Sequence, residues 1–245
     1  MKPFQKRMMI LLPAALLLLC LGSFFVLNDT DFTKSEEQIR AEQEIADCIQ
    51  RGEELDAETD VIPLELLESN QKAGKEYFSD ADKERLLREM DELYECYSEG
   101  KANAIRSLSE ETLSYHQKSL ADNADTPLCI AVKAGVCDVE YSDYVFEGDT
   151  AEVKGSNINW NLWIEQYEPN GEYYVTMIVN RDTIQYRLSK QSGSWKILGN
   201  TDYLKEFTSD DFSPEKACCE TLEEAIEAAD KIDIDTELSS VKFDE

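Results

Sequence analysis

Apolar and polar positions alternate along the chain between residues 157 and 199. The pattern opens with four apolar residues at every second position, Ile158, Trp160, Leu162 and Ile164. Successive side chains of a strand point to opposite sides, so these four share one face of a pleated strand. The region therefore predicts three or four long strands.

Short turn sequences separate the predicted strands. Residues 168–172 contain Asn-Gly, which tolerates the positive φ angles of a hairpin turn. Residues 180–182 and 191–194 are further breaks, and residues 128–146 add one or two strands before a turn at 147–149. Parallel neighbours need a crossover of a dozen residues or more, so connections this short predict an antiparallel meander.

Two amphipathic helices are predicted ahead of the meander. Ser79 opens the first, whose apolar residues recur at intervals of three and four, and Gly100 ends it. Ser107 and Glu110 fit a capping box that opens the second, and the polar cluster at 122–127 breaks it. The fold class predicted is α+β, with amphipathic helices packed on a curved antiparallel meander sheet.

Helices with a thinner apolar face are predicted toward both ends. Thr33 to Glu36 fits a capping box for a helix that reaches about Arg51 and stops at Gly52. Thr221 fits the start of a short helix near the C terminus. The last dozen residues are acidic with little to bury, which predicts a mobile end.

The charge balance excludes several functions. The chain holds 24 Lys and Arg against 52 Asp and Glu, a net charge of −28. Such a surface repels phosphates and anionic headgroups, so binding of nucleic acid is not expected. The acidic clusters lack the loop spacing of an EF-hand, and no metal or cofactor site is predicted.

The amino terminus predicts a membrane anchor. Lys2, Lys6 and Arg7 precede residues 8–27, a run of 20 residues without a charge. A helix of that length rises about 30 Å, enough to cross a hydrocarbon core. The basic flank favours the cytoplasm, which places the rest of the chain outside the cell. A cleaved signal peptide, or lipidation at Cys20, is the alternative left open.

These patterns divide the chain into five segments. A cytoplasmic tail at 1–7 precedes the anchor or signal at 8–27. Residues 28–78 are predicted to form an acidic helical stalk, 79–207 the α+β domain, and 208–245 an acidic helical tail.

Six cysteines follow the membrane segment. Outside the cytosol they permit disulfides with 15 connectivities, or they stay reduced thiols, and the sequence leaves both open. A hairpin turn around Lys133 would bring Cys129 and Cys137 face to face. With one histidine and no Cys-x-x-Cys spacing, a zinc site is not predicted.

The sheet segment resembles a known structural group. Its last strand starts with Ser194-Trp195-Lys196-Ile197 after the Gly193 turn, preceded by Tyr186–Lys190 and, earlier, Gly148–Val153. These motifs, after two helices, resemble the NTF2-like (cystatin-like cone) group over roughly residues 80–205. A similar arrangement occurs in extracytoplasmic regions of Gram-positive bacterial proteins.

The resemblance implies a curved sheet that wraps a helix and leaves a cup. In this group the cup binds a small molecule, a partner, or nothing, and no catalytic residue carries over. Trp160 and Trp163 lie on opposite faces of one strand, so one of them, with Tyr174 or Tyr186, is a candidate for the mouth of the cup. Core packing is the competing interpretation. His116, the single histidine, is a candidate proton-transfer group or a buried structural residue.

Three functional hypotheses follow. The first is a membrane-anchored extracytoplasmic module that binds a small molecule or a protein and has no catalytic activity. The second is a small pocket enzyme, a hydrolase or isomerase, with His116 or a carboxylate as base. The third is a redox protein that uses Cys218 and Cys219, or Cys129 and Cys137.

Overall fold

A computed structural model describes residues 34–75, 77–121, 127–169, 171–207 and 215–241. The predicted membrane segment lies outside these residues. Within them, none of the helices combines the length and the apolar character needed to span a bilayer.

The chain divides into two compact units, Met1–Gln43 and Glu44–Glu245. In the first, Ser35 and Gln38 form a reciprocal cap, because the Gln38 N–H donates to Ser35 Oγ at 3.2 Å and the Ser35 N–H to Gln38 Oε1 at 3.0 Å. This cap lies two residues beyond the predicted start. The second unit holds the sheet and most of the helices.

The helices and strands are numbered here in chain order. The helices are α1 Glu36–Glu58, α2 Leu64–Lys72, α3 Asp80–Glu89, α4 Leu93–Cys96, α5 Glu99–Ala121, α6 Leu222–Asp230 and α7 Ile234–Ser240, with a 3₁₀ turn Met90–Glu92 before α4. The strands are β1 Cys129–Glu147, β2 Thr150–Glu165, β3 Tyr173–Gln191, β4 Ser194–Phe207 and β5 Glu215–Cys219.

The sheet is an antiparallel meander in the order β1-β2-β3-β4. One edge of β3 pairs with β4 from Asn180 to Gln191 and with β5 from Tyr173 to Thr176. The predicted α+β class and the meander are therefore confirmed.

Two predicted turns are absent. β3 runs without a break through residues 180–182, and β1 runs through Lys133. Asn180 and Asp182 instead pair with Asn159 and Asn157 of β2. Polar residues in a strand imitate a turn signal in sequence, because the same side chains favour turns when they are exposed.

Three helix boundaries also differ from the prediction. Gly52 lies inside α1, where a Cβ would come within 2.8 Å of Ile197 Cδ1, so the helix needs a glycine there to approach the sheet. Gly100 and Ser107 both lie inside α5, which begins at Glu99. Ser79 caps α3 as predicted, and its oxygen accepts from the Asp82 N–H.

The long strands bury opposite faces at their two ends. In β2 the buried residues are Ala151 and Val153 toward one end but Leu162 and Ile164 toward the other. These pairs have opposite parity, and alternation places them on opposite sides of the strand. β3 makes the same change of face: its buried aliphatic side chains are Val175, Met177 and Val179 and then Ile184 and Leu188.

Different helices cover the two faces. Near the β4 end, α1 and α4 pack on the sheet: the Cys48 thiol donates to the Trp195 carbonyl at 3.3 Å. At the other end α6 packs against β2, β3 and β5, and Lys133 Nζ donates to the carbonyls of Ala229 and Asp230. A sheet covered in this way forms cores on both sides.

The predicted stalk and tail segments both contribute to the core. Ile45 and Ile49 of α1 are fully buried, as are Ala225 and Ala229 of α6. The apolar stripes of α1 and α6 are thin, but each helix has to cover only one part of the sheet. The sheet reverses its buried face and therefore needs a helix on each side.

Gly155 offers a test of this packing. A Cβ there would lie 2.7 Å from Tyr186 Cε2 and 3.2 Å from Tyr141 Cδ1. We expect Gly155→Ala to lower the free energy of unfolding by about 1–3 kcal/mol, since added bulk in a packed core is destabilising. Gly199→Ala is the control, because its nearest atom is 3.9 Å away. Equal urea unfolding midpoints for the two variants would contradict the packing.

Candidate functional site

A cavity of about 500 Å³ lies between the end of α1, the first half of α5 and the sheet. We call it the polar cavity. Its walls come from two helices and three strands, so it exists only in the folded chain. Its volume is in the range of small-molecule sites.

Polar side chains form the sheet wall of the polar cavity. They are Asn159 and Asn161 of β2 and Asn180 and Asp182 of β3. The Asn159 amide donates to Asp182 Oδ2 at 2.7 Å and to Asn157 Oδ1 at 3.0 Å. These residues occupy the crossing point where the strands change their buried face, so the wall is polar between two apolar cores.

Acidic side chains form the helical wall. Glu53 and Asp56 of α1, and Asp60 just after it, recur at intervals of three and four, which places them on one side of a helical turn. Lys101 of α5 is a cation on the same wall, and its Nζ donates to Asn200 Oδ1 at 3.3 Å.

Burial perturbs two of these carboxyl groups. It raises the pKa of Asp56 to about 6, against the opposing effect of Lys101 and with a further rise from the Asp60 charge. Burial also raises the pKa of Asp60, while a hydrogen bond from Ser109 lowers it.

The chain segment after Asp60 is fixed to the sheet, since the Ile62 N–H donates to the Ala131 carbonyl at 2.8 Å.

Several buried polar atoms of the cavity wall have no hydrogen-bond partner within the described part of the chain. They are Trp163 Nε1, Asn180 Oδ1 and Asp60 Oδ1. Asn180 is only 7% exposed. Buried polar atoms in native proteins are nearly always hydrogen-bonded, so the wall presents one donor and two acceptors to whatever occupies the cavity.

A second hollow of about 420 Å³ lies nearby. We call it the apolar groove, because Leu64, Leu86, Met90 and Val132 line it. Trp160 borders both the apolar groove and the polar cavity. The Trp160 ring lies close to Gly135, where a Cβ would come within 2.7 Å of it.

The predicted tryptophans reach the cavity but the tyrosines do not. Trp160 and Trp163 are half-buried and both border the polar cavity. Tyr186 is 1% exposed and packs edge-on against Tyr141 in the core. Tyr174 lies outside the cavity, where its ring stacks on Tyr167 at 4.6 Å between centroids.

His116 lies in α5, and it borders neither hollow. Its side chain is 3% exposed. Burial lowers its pKa to about 4, against a smaller opposing effect of the Cys129 backbone. The imidazole is therefore neutral near neutral pH.

The proposed Cys129–Cys137 pair is wrong. Both residues lie in β1, and eight residues of strand separate them by roughly 26 Å, far beyond disulfide reach. The hairpin that would have joined them does not form, because β1 pairs with β2 on both sides of Lys133. All six described cysteines are free thiols.

A different pair of thiols lies close together. Cys48 of α1 donates from Sγ to the Cys96 carbonyl at 3.5 Å. A hydrogen bond from the Cys48 thiol lowers the pKa of Cys96, and the Lys196 cation lowers it further. Residues 48 positions apart in sequence give no local signal for such a contact.

Sequence reasoning missed most of the cavity residues. Asp56 and Asp60 lay within the predicted acidic stalk, and Asn180 and Asp182 appeared as a turn. The available signal was the run of asparagines at alternate positions in β2, Asn157, Asn159 and Asn161. These three asparagines share one face of β2, while Ile158, Trp160 and Leu162 on the other face remain apolar.

Comparisons with known proteins place few constraints on this site. The sequence matches no family model. No curated protein matches it either. Among solved structures, the intermembrane space region of the chloroplast protein ARC6 is similar at 16% identity, over 56% of this chain and 91% of that one, with a TM-score of 0.28.

The contact between Cys48 and Cys96 predicts one disulfide. On exposure of the full chain to glutathione disulfide, we expect the two thiols to lose two protons and two electrons, while the oxidant is reduced to two glutathione thiols. Peptide mass spectrometry should find a Cys48–Cys96 cross-link, absent in Cys48→Ser and retained when Cys129 and Cys137 are both serine. A dominant cross-link between other cysteines would refute this.

The raised pKa of Asp56 predicts a pH-dependent stability difference. The folded state holds this proton up to about pH 6, whereas the unfolded chain releases it near its ordinary value of 3.8. Stability therefore falls as the pH rises through that interval. We expect Asp56→Asn to be more stable than the parent by about 1–2 kcal/mol at pH 8, after allowance for partial solvent screening, and nearly equal at pH 4.

Urea unfolding of both chains at the two pH values measures this difference. Glu58→Gln, an exposed acid on the same helix, should show no such pH dependence. A difference of the same size at both pH values would show that the effect does not come from titration of Asp56.

Proposed function

We propose that this protein is a single-pass, membrane-anchored binding module whose NTF2-like domain lies outside the cell. In this proposal the polar cavity takes a small molecule, and the module has no catalytic activity of its own. The acidic chain would then act at the outer surface of the membrane, without a nucleic-acid partner.

Support for the anchor comes from the sequence. Residues 8–27 carry no charge, and Lys2, Lys6 and Arg7 precede them. The asymmetry of basic residues favours retention of the amino terminus in the cytoplasm. Removal of the segment as a signal peptide, which would release the domain, is the competing arrangement.

Support for the NTF2-like assignment comes from the arrangement of elements. Helices precede an antiparallel meander, and the polar cavity lies between α5 and the sheet. That is the position of the cup in the NTF2-like group. Trp195, in the motif that carries the resemblance, is buried at the start of β4.

The observation that carries the binding function is the set of unpartnered atoms in the cavity wall. Trp163 Nε1 and Asn180 Oδ1 are buried, and no group of the described chain satisfies them. Leaving a buried donor or acceptor unpaired costs about 1–3 kcal/mol. A ligand that supplies the missing partners recovers that free energy, which favours a binding site over a merely structural void.

One observation favours an enzyme as a second candidate. The pKa of Asp56 is raised to about 6, which suits a carboxylate for proton transfer near neutral pH. Asp60 lies beside it in the same wall. Any such enzyme would use these carboxylates, because His116 does not reach the cavity.

An interaction with another protein would use a different surface. The ring of Tyr167 is 63% exposed and stacks on Tyr174 near the start of β3. Exposed aromatic pairs of this kind suit a protein contact. Neither tyrosine lines the polar cavity, so mutations can separate a protein contact at this pair from small-molecule binding in the cavity.

Binding can be followed at the indole N–H of Trp163. Full-length protein labelled with ¹⁵N-tryptophan in detergent should give three indole signals, one for each tryptophan. On titration with a panel of small cationic, neutral and anionic compounds, we expect a binder to shift the Trp163 signal, which Trp163→Phe identifies. Signals that stay fixed with every compound would refute the small-molecule function.

Asn161→Phe serves as the blocking variant, since it adds a ring to the cavity wall, and we expect it to abolish the shift. Lys154→Phe adds the same ring at an exposed position of the same strand and should leave binding intact. Loss in both variants would mean that binding depends on β2 in general and not on the cavity.

Membrane placement needs a separate measurement. We expect a protease-sensitive tag after Glu245 to be cleaved on intact cells, since the basic flank retains the amino terminus inside. Cleavage only after lysis would contradict the extracytoplasmic placement.

A further inference from the structure

We propose that the polar cavity recognises a protonated organic amine, with N–H groups on its cationic nitrogen. This rests on the proposed function, because it names the chemical class of ligand for the same site. The charges, hydrogen-bonding groups and aromatic rings of the cavity wall all suit such a ligand.

The charge of the wall selects a cation. Among the described residues, Glu53, Asp56, Asp60 and Asp182 line the cavity, and Lys101 is the basic residue that lines it with them. With their carboxyl groups ionised, these five described side chains carry four negative charges and one positive, a net charge of −3. A cleft of one sign with low-dielectric walls concentrates ligands of the opposite sign, so a cation is favoured and an anion is repelled.

The unpartnered atoms select a nitrogen that carries hydrogens. Asn180 Oδ1 and Asp60 Oδ1 are acceptors without a partner in the described chain, and Asn180 is 7% exposed. An ammonium group donates up to three hydrogen bonds, while a quaternary ammonium donates none. Hydrogen bonds to ionised groups are about twice as strong as neutral ones, which favours a primary or secondary amine.

The aromatic wall suits the same ligand. Trp160 and Trp163 both border the cavity. A tryptophan face attracts a cation within about 6 Å of its centre, and the attraction strengthens when water is excluded. The carbon chain of an amine can also pack on the indole rings, which a bare ion cannot do.

A metal ion fits the site less well. Among the described residues, no three His, Cys, Asp or Glu side chains converge closely enough to hold a metal. The acids come from α1 and its following turn on one wall and from β3 on the other. Carboxylates spread over two walls of a 500 Å³ cavity match a polyatomic cation that extends between them.

Calorimetric titration of full-length protein in detergent provides the test. The probes are putrescine, 1,4-butanediol as its neutral analogue, tetramethylammonium as a cation without N–H, glutarate as an anion and calcium chloride. Salt near 0.15 M screens the acidic surface. We expect putrescine to bind at one site and the other probes to bind at least about tenfold more weakly, a difference of about 1.4 kcal/mol.

Substitutions then locate the site. Asp60→Asn and Asn180→Leu should each weaken putrescine binding by at least about tenfold, since each removes a hydrogen bond that involves a charged group. Glu58→Gln removes one negative charge from the exposed side of α1 and should change the affinity by less than about twofold. Circular dichroism melts confirm that the variants fold.

Each other outcome overturns the inference. Putrescine binding that survives Asp60→Asn and Asn180→Leu would lie on the acidic surface. Calcium binding that Asp60→Asn removes would make the site a metal site. If butanediol or glutarate binds and Asn161→Phe blocks that binding, the amine specificity is wrong but the small-molecule function stands. If no compound binds, both the amine specificity and the small-molecule function are wrong.

Discussion

The structure depends on the change of buried face along its long strands. β2 and β3 span 16 and 19 residues, and different helices cover their two ends. Their apolar residues switch parity, from Val153 to Leu162 in β2 and from Val179 to Ile184 in β3. Each half of the sheet then needs its own helices, α1, α4 and α5 on one side and α6 on the other.

The same change of face creates the candidate site. Where the parity switches, neither core is continuous, and the strands carry asparagines and an aspartate on the side of α1 and α5. Asn159 of β2 donates to Asp182 of the neighbouring strand β3, so this hydrogen bond holds part of the wall in place before any ligand binds. The void is closed by α1, whose last turns add acids at intervals of three and four. A polar, acidic cavity is thus a direct result of how the sheet is covered.

Burial decides the chemical character of the groups near this cavity. It raises the pKa of Asp56 toward neutrality and lowers that of His116 to about 4. The carboxylate therefore gains the titration range that an isolated histidine has, while the histidine loses it. The Lys101 charge lowers the pKa of Asp56 and so offsets part of the free-energy cost of placing several acidic side chains together. The cavity consequently favours cationic ligands over anionic ones.

The local elements could be predicted from the amino-acid sequence. Alternation predicted the strands, turn chemistry predicted the antiparallel meander, and apolar residues at intervals of three and four predicted the helix that Ser79 opens. Each of these signals depends on residues close together in the chain. The folded chain was needed to show that Asn180 and Asp182 lie within a strand. It was also needed to show that Cys48 contacts Cys96 and that Cys129 lies far from Cys137. Such contacts join residues far apart in sequence, and their geometry follows from the register and covering of the whole sheet.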